Sequence, residues 1–177
     1  SNAISSTARK MSGESMKIAF GLLVTLVMSA AGCDSGQTED DCSDREQQIE
    51  RMEGQLFEAS EKVDASLRSA LMMAYADFSN HCHASERTPE FLFRRADLLR
   101  SAGQFQEAMT QLRDIHDHYK NFDKRPVCAF LVGFIAEVEL NDREQARKTY
   151  EQVIELLPES RAATWAQQSI ENLEVLP

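Results

Sequence analysis

The chain repeats itself. Displacing it by 38 residues lays Ala146, Tyr150 and Val153 on Ala108, Leu112 and Ile115, with small and bulky apolar side chains at matching steps. A related pattern, Leu71, Tyr75 and Phe78, begins 37 residues before Ala108. These residues are spaced three and four apart, which places them on one face of an α-helix. A recurring unit this short cannot bury its own apolar face and must stack on its neighbours, the signature of a solenoid. The fold class expected is therefore all-α, and the expected role is to offer surface to other macromolecules.

Composition agrees with that class. Four prolines and seven glycines in 177 residues disfavour an all-β or disordered body. The formal net charge is −10, and Lys and Arg are scattered without a basic patch. Nucleic-acid binding, which needs clustered cations against phosphates, is not expected. The acidic balance favours basic partners.

The first residues are read as a cloning scar and leader, 1–15. After Lys17 comes an uncharged, largely apolar run from Ile18 to Gly32. At 15 residues it falls short of the roughly 20 needed to span a bilayer, and with its basic flank it reads as a secretory signal, 16–32. Residues 33–43 are polar and acidic without apolar periodicity, the composition of a flexible tether. Residues 44–177 form the expected helical domain.

Within that domain Ile49, Met52 and Leu56 stripe one helix face, and Ala59, Val63 and Leu67 nearly continue it. Either one helix runs over 45–82, or the chain breaks near 60–64 and restarts with Asp64 as cap. A continuous stripe over 45–67 would make a coiled-coil oligomer, so a self-assembling structural lipoprotein is the alternative function. Further on, Thr88 is expected to cap a helix with Pro89 in its first turn, and Gly103 to stop it. Helices are then expected over 105–119, 126–140 and 143–157, with Asn141 and Asp142 before the third. Ser160 caps a final helix reaching about 173.

Pro89, Ala96, Leu99, Gly103, Phe105, Ala108, Leu112 and Ile115 together resemble a tetratricopeptide repeat, and Pro126, Ala129, Gly133, Ala136, Ala146, Tyr150 and Pro158 a second copy. The second departs at its turn, where Leu140, Asn141 and Asp142 replace the glycine and add one residue. A degenerate third unit covers about 44–88. The resemblance implies a right-handed α-α superhelix of helical hairpins with a C-terminal capping helix. The stretch Ser29, Ala30, Ala31, Gly32, Cys33 resembles a bacterial lipobox, with Ala30 where leucine is usual, which implies lipidation at Cys33; a plain signal peptide is the alternative. The ending around Pro158 and Ser160 is similar to periplasmic repeat proteins such as the Tol–Pal-associated coordinator and the lipoprotein of the outer-membrane assembly machine. It is closer still to small repeat lipoproteins of Gram-negative bacteria. The likeness implies a scaffold in the bacterial cell envelope, facing the periplasm and anchored in a membrane through Cys33, with envelope proteins as partners.

In such arrays the first helix of each hairpin lines a concave groove that holds peptides. Counting from the prolines, the groove side chains expected are Glu90, Phe93, Asp97 and Arg100, then Val127, Phe130, Phe134 and Glu137. Phe93, Phe130 and Phe134 would form an apolar strip bordered by charge. The competing expectation is that these rings are core, or lie under the chain's own first helix.

No catalytic motif is present, neither a phosphate loop nor a nucleophile elbow, so no enzyme activity is expected. His81, Cys82 and His83, with His116 and His118, are the nearest approach to a metal cluster, but histidine near a helix C-terminus is favoured by the dipole anyway. No metal and no cofactor is expected. Cys42, Cys82 and Cys128 leave their pairing open, and Trp165 is expected against Leu157.

Overall fold

The computed structural model describes residues 35–58 and 65–175. Seven α-helices follow one another among the described residues: α1 (Ser35–Glu58), α2 (Ala65–His81), α3 (Thr88–Ser101), α4 (Phe105–His118), α5 (Arg125–Val138), α6 (Arg143–Leu156) and α7 (Arg161–Val175). Each packs on the next, and α5 also meets α7. The result is an all-α stack of hairpins closed by a single helix. The leader, the signal and Cys33 lie outside the described residues, as does Asp64.

Small side chains set the spacing between helices. Ala108, Ala136 and Ala146 are completely buried, and Ala96 nearly so. Leu112 and Ile115 on α4 take the same buried places as Tyr150 and Val153 on α6. The two hairpins thus use one packing scheme, and their apolar residues merge into one core running from α3 to α7. A second core joins α1, α2 and the start of α3 through Ile49, Leu71, Tyr75, Phe78, Cys82 and Phe91.

The turns follow from backbone need. Gly103 sits at φ +76°, a left-handed conformation glycine adopts without a Cβ penalty, and reverses the chain between α3 and α4. In the second hairpin Asn141 takes that task at φ 52°, and the Asp142 carboxylate then accepts from the Gln145 amide. Ser160 caps α7 by accepting from the Ala163 amide.

Two open alternatives are decided, and two expectations change. The chain does break: α1 and α2 are separate helices, and a disulfide joins Cys42 to Cys82. On one continuous helix these residues would stand about 60 Å apart, so the bond requires a hairpin. That settles the cysteine pairing and leaves Cys128 as a buried thiol. Residues 35–43, expected as a flexible tether, belong to α1. Helical-spacing polar pairs hold them, Arg45 to Asp41 at 3.0 Å and Gln47 to Ser43 at 3.4 Å, and neither registers as apolar periodicity. The stripe expected for a coiled coil is used inside the chain, Ile49 being buried while Met52 and Leu56 pack on the same core. Finally, Thr88 does not cap α3; its buried hydroxyl donates to the Cys82 carbonyl at 2.6 Å and ties down the α2–α3 loop.

Candidate interaction surface

The expected groove residues lie on α3 and α5, and the structure sorts them into three groups. In the first, Glu90 accepts from Lys124 at 2.7 Å and from Arg94 at 3.1 Å, while Arg94 reaches Glu53 of α1 at 2.6 Å. This chain of charges crosses from α1 over α3 to the start of α5. Burial works against the ionised Glu90, but the hydrogen bonds from Lys124 and Arg94 outweigh it and hold the carboxyl below its ordinary range. Phe93 belongs here as well: the Lys124 ammonium lies 5.1 Å from its ring centre, and Phe122 meets it edge-on at 6.2 Å.

In the second group Arg100 bridges Asp97 at 3.2 Å and Glu139, just past the end of α5, at 3.1 Å. Arg100 thus ties α3 to the end of α5, while Asp97 pairs within α3 and stays exposed. Val127 is half-buried in the first turn of α5.

The third group is aromatic and joins α5, α6 and α7. Phe130 stacks on Tyr150 at 5.5 Å, meets Trp165 edge-on at 5.6 Å and lies 6.2 Å from Phe134. The Tyr150 hydroxyl donates to Glu137 at 2.7 Å, and burial together with that carboxylate pushes the phenol above its usual range. Trp165 is 37% exposed, with the Arg161 guanidinium 5.7 Å from its ring centre. Phe130 is half-buried and packs against the core, and Phe134, also half-buried, lies beside it. Sequence reasoning placed Trp165 against Leu157 and so missed its part in this cluster. The α5–α7 contact that makes it is between helices two apart in order, which periodicity within one helix does not report.

The single apolar strip expected from Phe93, Phe130 and Phe134 therefore divides. Phe93 goes with Phe122 under Lys124, and Phe130 and Phe134 go with Tyr150 and Trp165.

The remaining candidates fall into place as structural parts. His81 and His118 each sit within 2.9 Å, through Nδ1, of the carbonyl oxygen four residues back, Asp77 and Asp114. Among the described residues no His, Cys, Asp and Glu group forms a metal-binding cluster. Burial pushes the Cys128 thiol up to about 12, so it stays protonated and inert at neutral pH. A cleft of about 740 Å³ that sequence reasoning did not anticipate lies among α4, α5 and α6, with Arg113, His116, Ala129, Lys148, Val153 and Leu156 in its lining.

Two stretches, residues 90–121 and 130–160, match the tetratricopeptide repeat family. They coincide with the α3–α4 and α5–α6 hairpins. Comparison with curated proteins finds no match. The chain contains tetratricopeptide repeats, modules that serve protein–protein interaction through their stacked surfaces.

Proposed function

We propose that this repeat-containing chain is a non-enzymatic adaptor of the bacterial envelope, anchored through a lipidated Cys33, that holds a partner protein against α5 and α7. The observation that carries the reading is the part-exposed aromatic cluster of Phe130, Phe134 and Trp165, set between the Glu137 carboxylate and the Arg161 guanidinium. A ring cluster that is only partly covered, with charge at its edge, suits an apolar or aromatic anchor residue of a partner. Glu90, Phe93, Asp97, Arg100 and Val127 give the rest of the face its shape and charge.

Export is supported from two sides. The apolar run ending at Ser29–Cys33 has the form of a cleaved and lipidated leader. The Cys42–Cys82 bond suits an oxidising compartment such as the periplasm. The test is crosslinking in the native envelope followed by capture of the wild-type chain and of Phe134→Asp. The variant should melt as cooperatively as the wild type and lose the crosslinked partner. Undiminished capture by a folded variant rejects the aromatic cluster as the docking site.

A further inference from the structure

Helix α1 is attached unlike its neighbours. Among its described side chains only Ile49 is fully buried, whereas α4 buries Ala108, Met109, Leu112 and Ile115. Polar contacts do much of the remaining work. Arg45 pairs with Asp77 of α2, Glu46 with Arg87 at 2.6 Å, and Glu53 with Arg94 at 2.6 Å and the Tyr75 hydroxyl at 2.6 Å. Arg87 and Arg94 are 40% and 38% exposed, their partners Glu46 and Glu53 30% and 17%, and ion pairs partly open to water hold a helix only modestly. The firm attachment is covalent, the Cys42–Cys82 bond.

Beneath α1 lies a surface that does not resemble a solvated helix face. Tyr75 and Phe78 pack on Phe91 at 5.6 and 4.8 Å, and the guanidinium groups of Arg87 and Arg94 stand 5.0 and 6.0 Å from the Phe91 ring centre. An aromatic floor flanked by two arginines is complementary to a helix with an aliphatic residue between carboxylates. In α1 that pattern is Glu46, Ile49, Glu50 and Glu53.

We propose that α1 is a releasable cover: a dithiol reductant opens Cys42–Cys82, α1 lifts, and α2 and α3 present a docking surface for an acidic amphipathic helix of a partner. Cys82 is 4% exposed and Cys42 half-buried, so the reductant's thiolate attacks the Cys42 sulfur. The S–S bond breaks and Cys82 leaves as a thiolate that takes up a proton. The reductant's second thiol then attacks the mixed disulfide, releasing Cys42 as a thiol and closing the reductant into its own disulfide. Two electrons and two protons pass to the protein. This surface lies on α2 and α3, apart from the α5–α7 cluster, so its failure and that of the adaptor reading show in different experiments.

The test has two readouts on the full chain. Hydrogen exchange is followed with and without a dithiol reductant; reduction should speed exchange over residues 44–58 by at least about tenfold and leave α4 to α7 protected. A labelled synthetic peptide of residues 41–58 carrying Cys42→Ser is then added to the wild-type chain, oxidised or reduced. The peptide should bind the reduced chain at least about tenfold more tightly than the oxidised one, and Glu53→Gln in the peptide should weaken it. Three results overturn the proposal: α1 staying protected after reduction, protection vanishing throughout the chain, or the peptide failing to distinguish reduced from oxidised protein. The same comparison between a Cys42→Ser chain and the oxidised wild-type chain removes the reductant from the experiment, and equal binding there is equally fatal.

Discussion

A Cβ added at Gly133 would lie 2.6 Å from Cε1 of Tyr150, closer than side chains approach. The tyrosine cannot swing aside, because its ring stacks on Phe130 and its hydroxyl is bonded to Glu137. Gly133→Ala should therefore destabilise despite the better helix propensity of alanine. Overpacking costs about 1–3 kcal/mol, and propensity returns about 1 kcal/mol. A lower urea midpoint with an unchanged slope would bear this out, and a raised midpoint would contradict it. Glu90 gives a pH signature. Burial raises its pKa, the bonds and charges of Lys124 and Arg94 together lower it by more, and the folded value ends below the ordinary 4.5. The carboxylate therefore contributes stability above that ordinary value and loses it as pH falls through the folded one. Relative to wild type, Glu90→Gln should be less stable at neutral pH, with the gap closing under acid. A gap that stays constant from neutral pH into acid would show that the ion pairs contribute nothing.

At the scale of elements, the two hairpins solve one turn in two ways. Gly103 adopts its positive φ freely, while Asn141 at φ 52° pays a steric penalty that its short polar side chain moderates. Asn141→Gly should thus leave thermal stability unchanged or raise it. Asn141→Val should lower stability by about 1–2 kcal/mol, because a β-branched side chain tolerates that backbone poorly. Equal melting of the two variants would argue that the turn relaxes. The same scale explains why α1 was legible only in part. Its Ile49, Met52, Leu56 stripe announced a helix, but a stripe fits a partner chain as well as α2. The decision rested on where Cys42 could reach, and a bond over a separation of 40 residues is not encoded in local pattern.

At the scale of the whole molecule, the first and last described helices turn polar faces outward. Gln47, Gln48, Arg51 and Gln55 of α1 are exposed, as are Thr164, Gln167, Gln168 and Glu171 of α7. Terminal repeats need such polar outer faces to stop further stacking. On the proposed reading the partner docks on the aromatic cluster of α5 and α7, which is why Phe134→Asp should cost capture and not folding. If the chain works as an anchored adaptor, Cys33→Ser should move it from the membrane fraction to the soluble fraction after cell breakage, detected by immunoblot. Retention of the variant in the membrane would reject lipidation at Cys33 as the anchor.

Helical periodicity, the alanine and glycine placements and the prolines were enough to establish an all-α stack with two matched hairpins, because those signals act within a few residues along one helix. Glu90, Asp97 and Arg100, expected to line a groove, were placed on their helix by the same counting. What they bind was not: each is paired with a charge from another turn or helix, Lys124, Arg100 and Glu139 among them. The Phe130–Trp165 contact and the Cys42–Cys82 bond likewise exist only once helices distant in the chain lie side by side. Local pattern dictates which face a residue occupies; the stacking of whole helices decides what waits across from it.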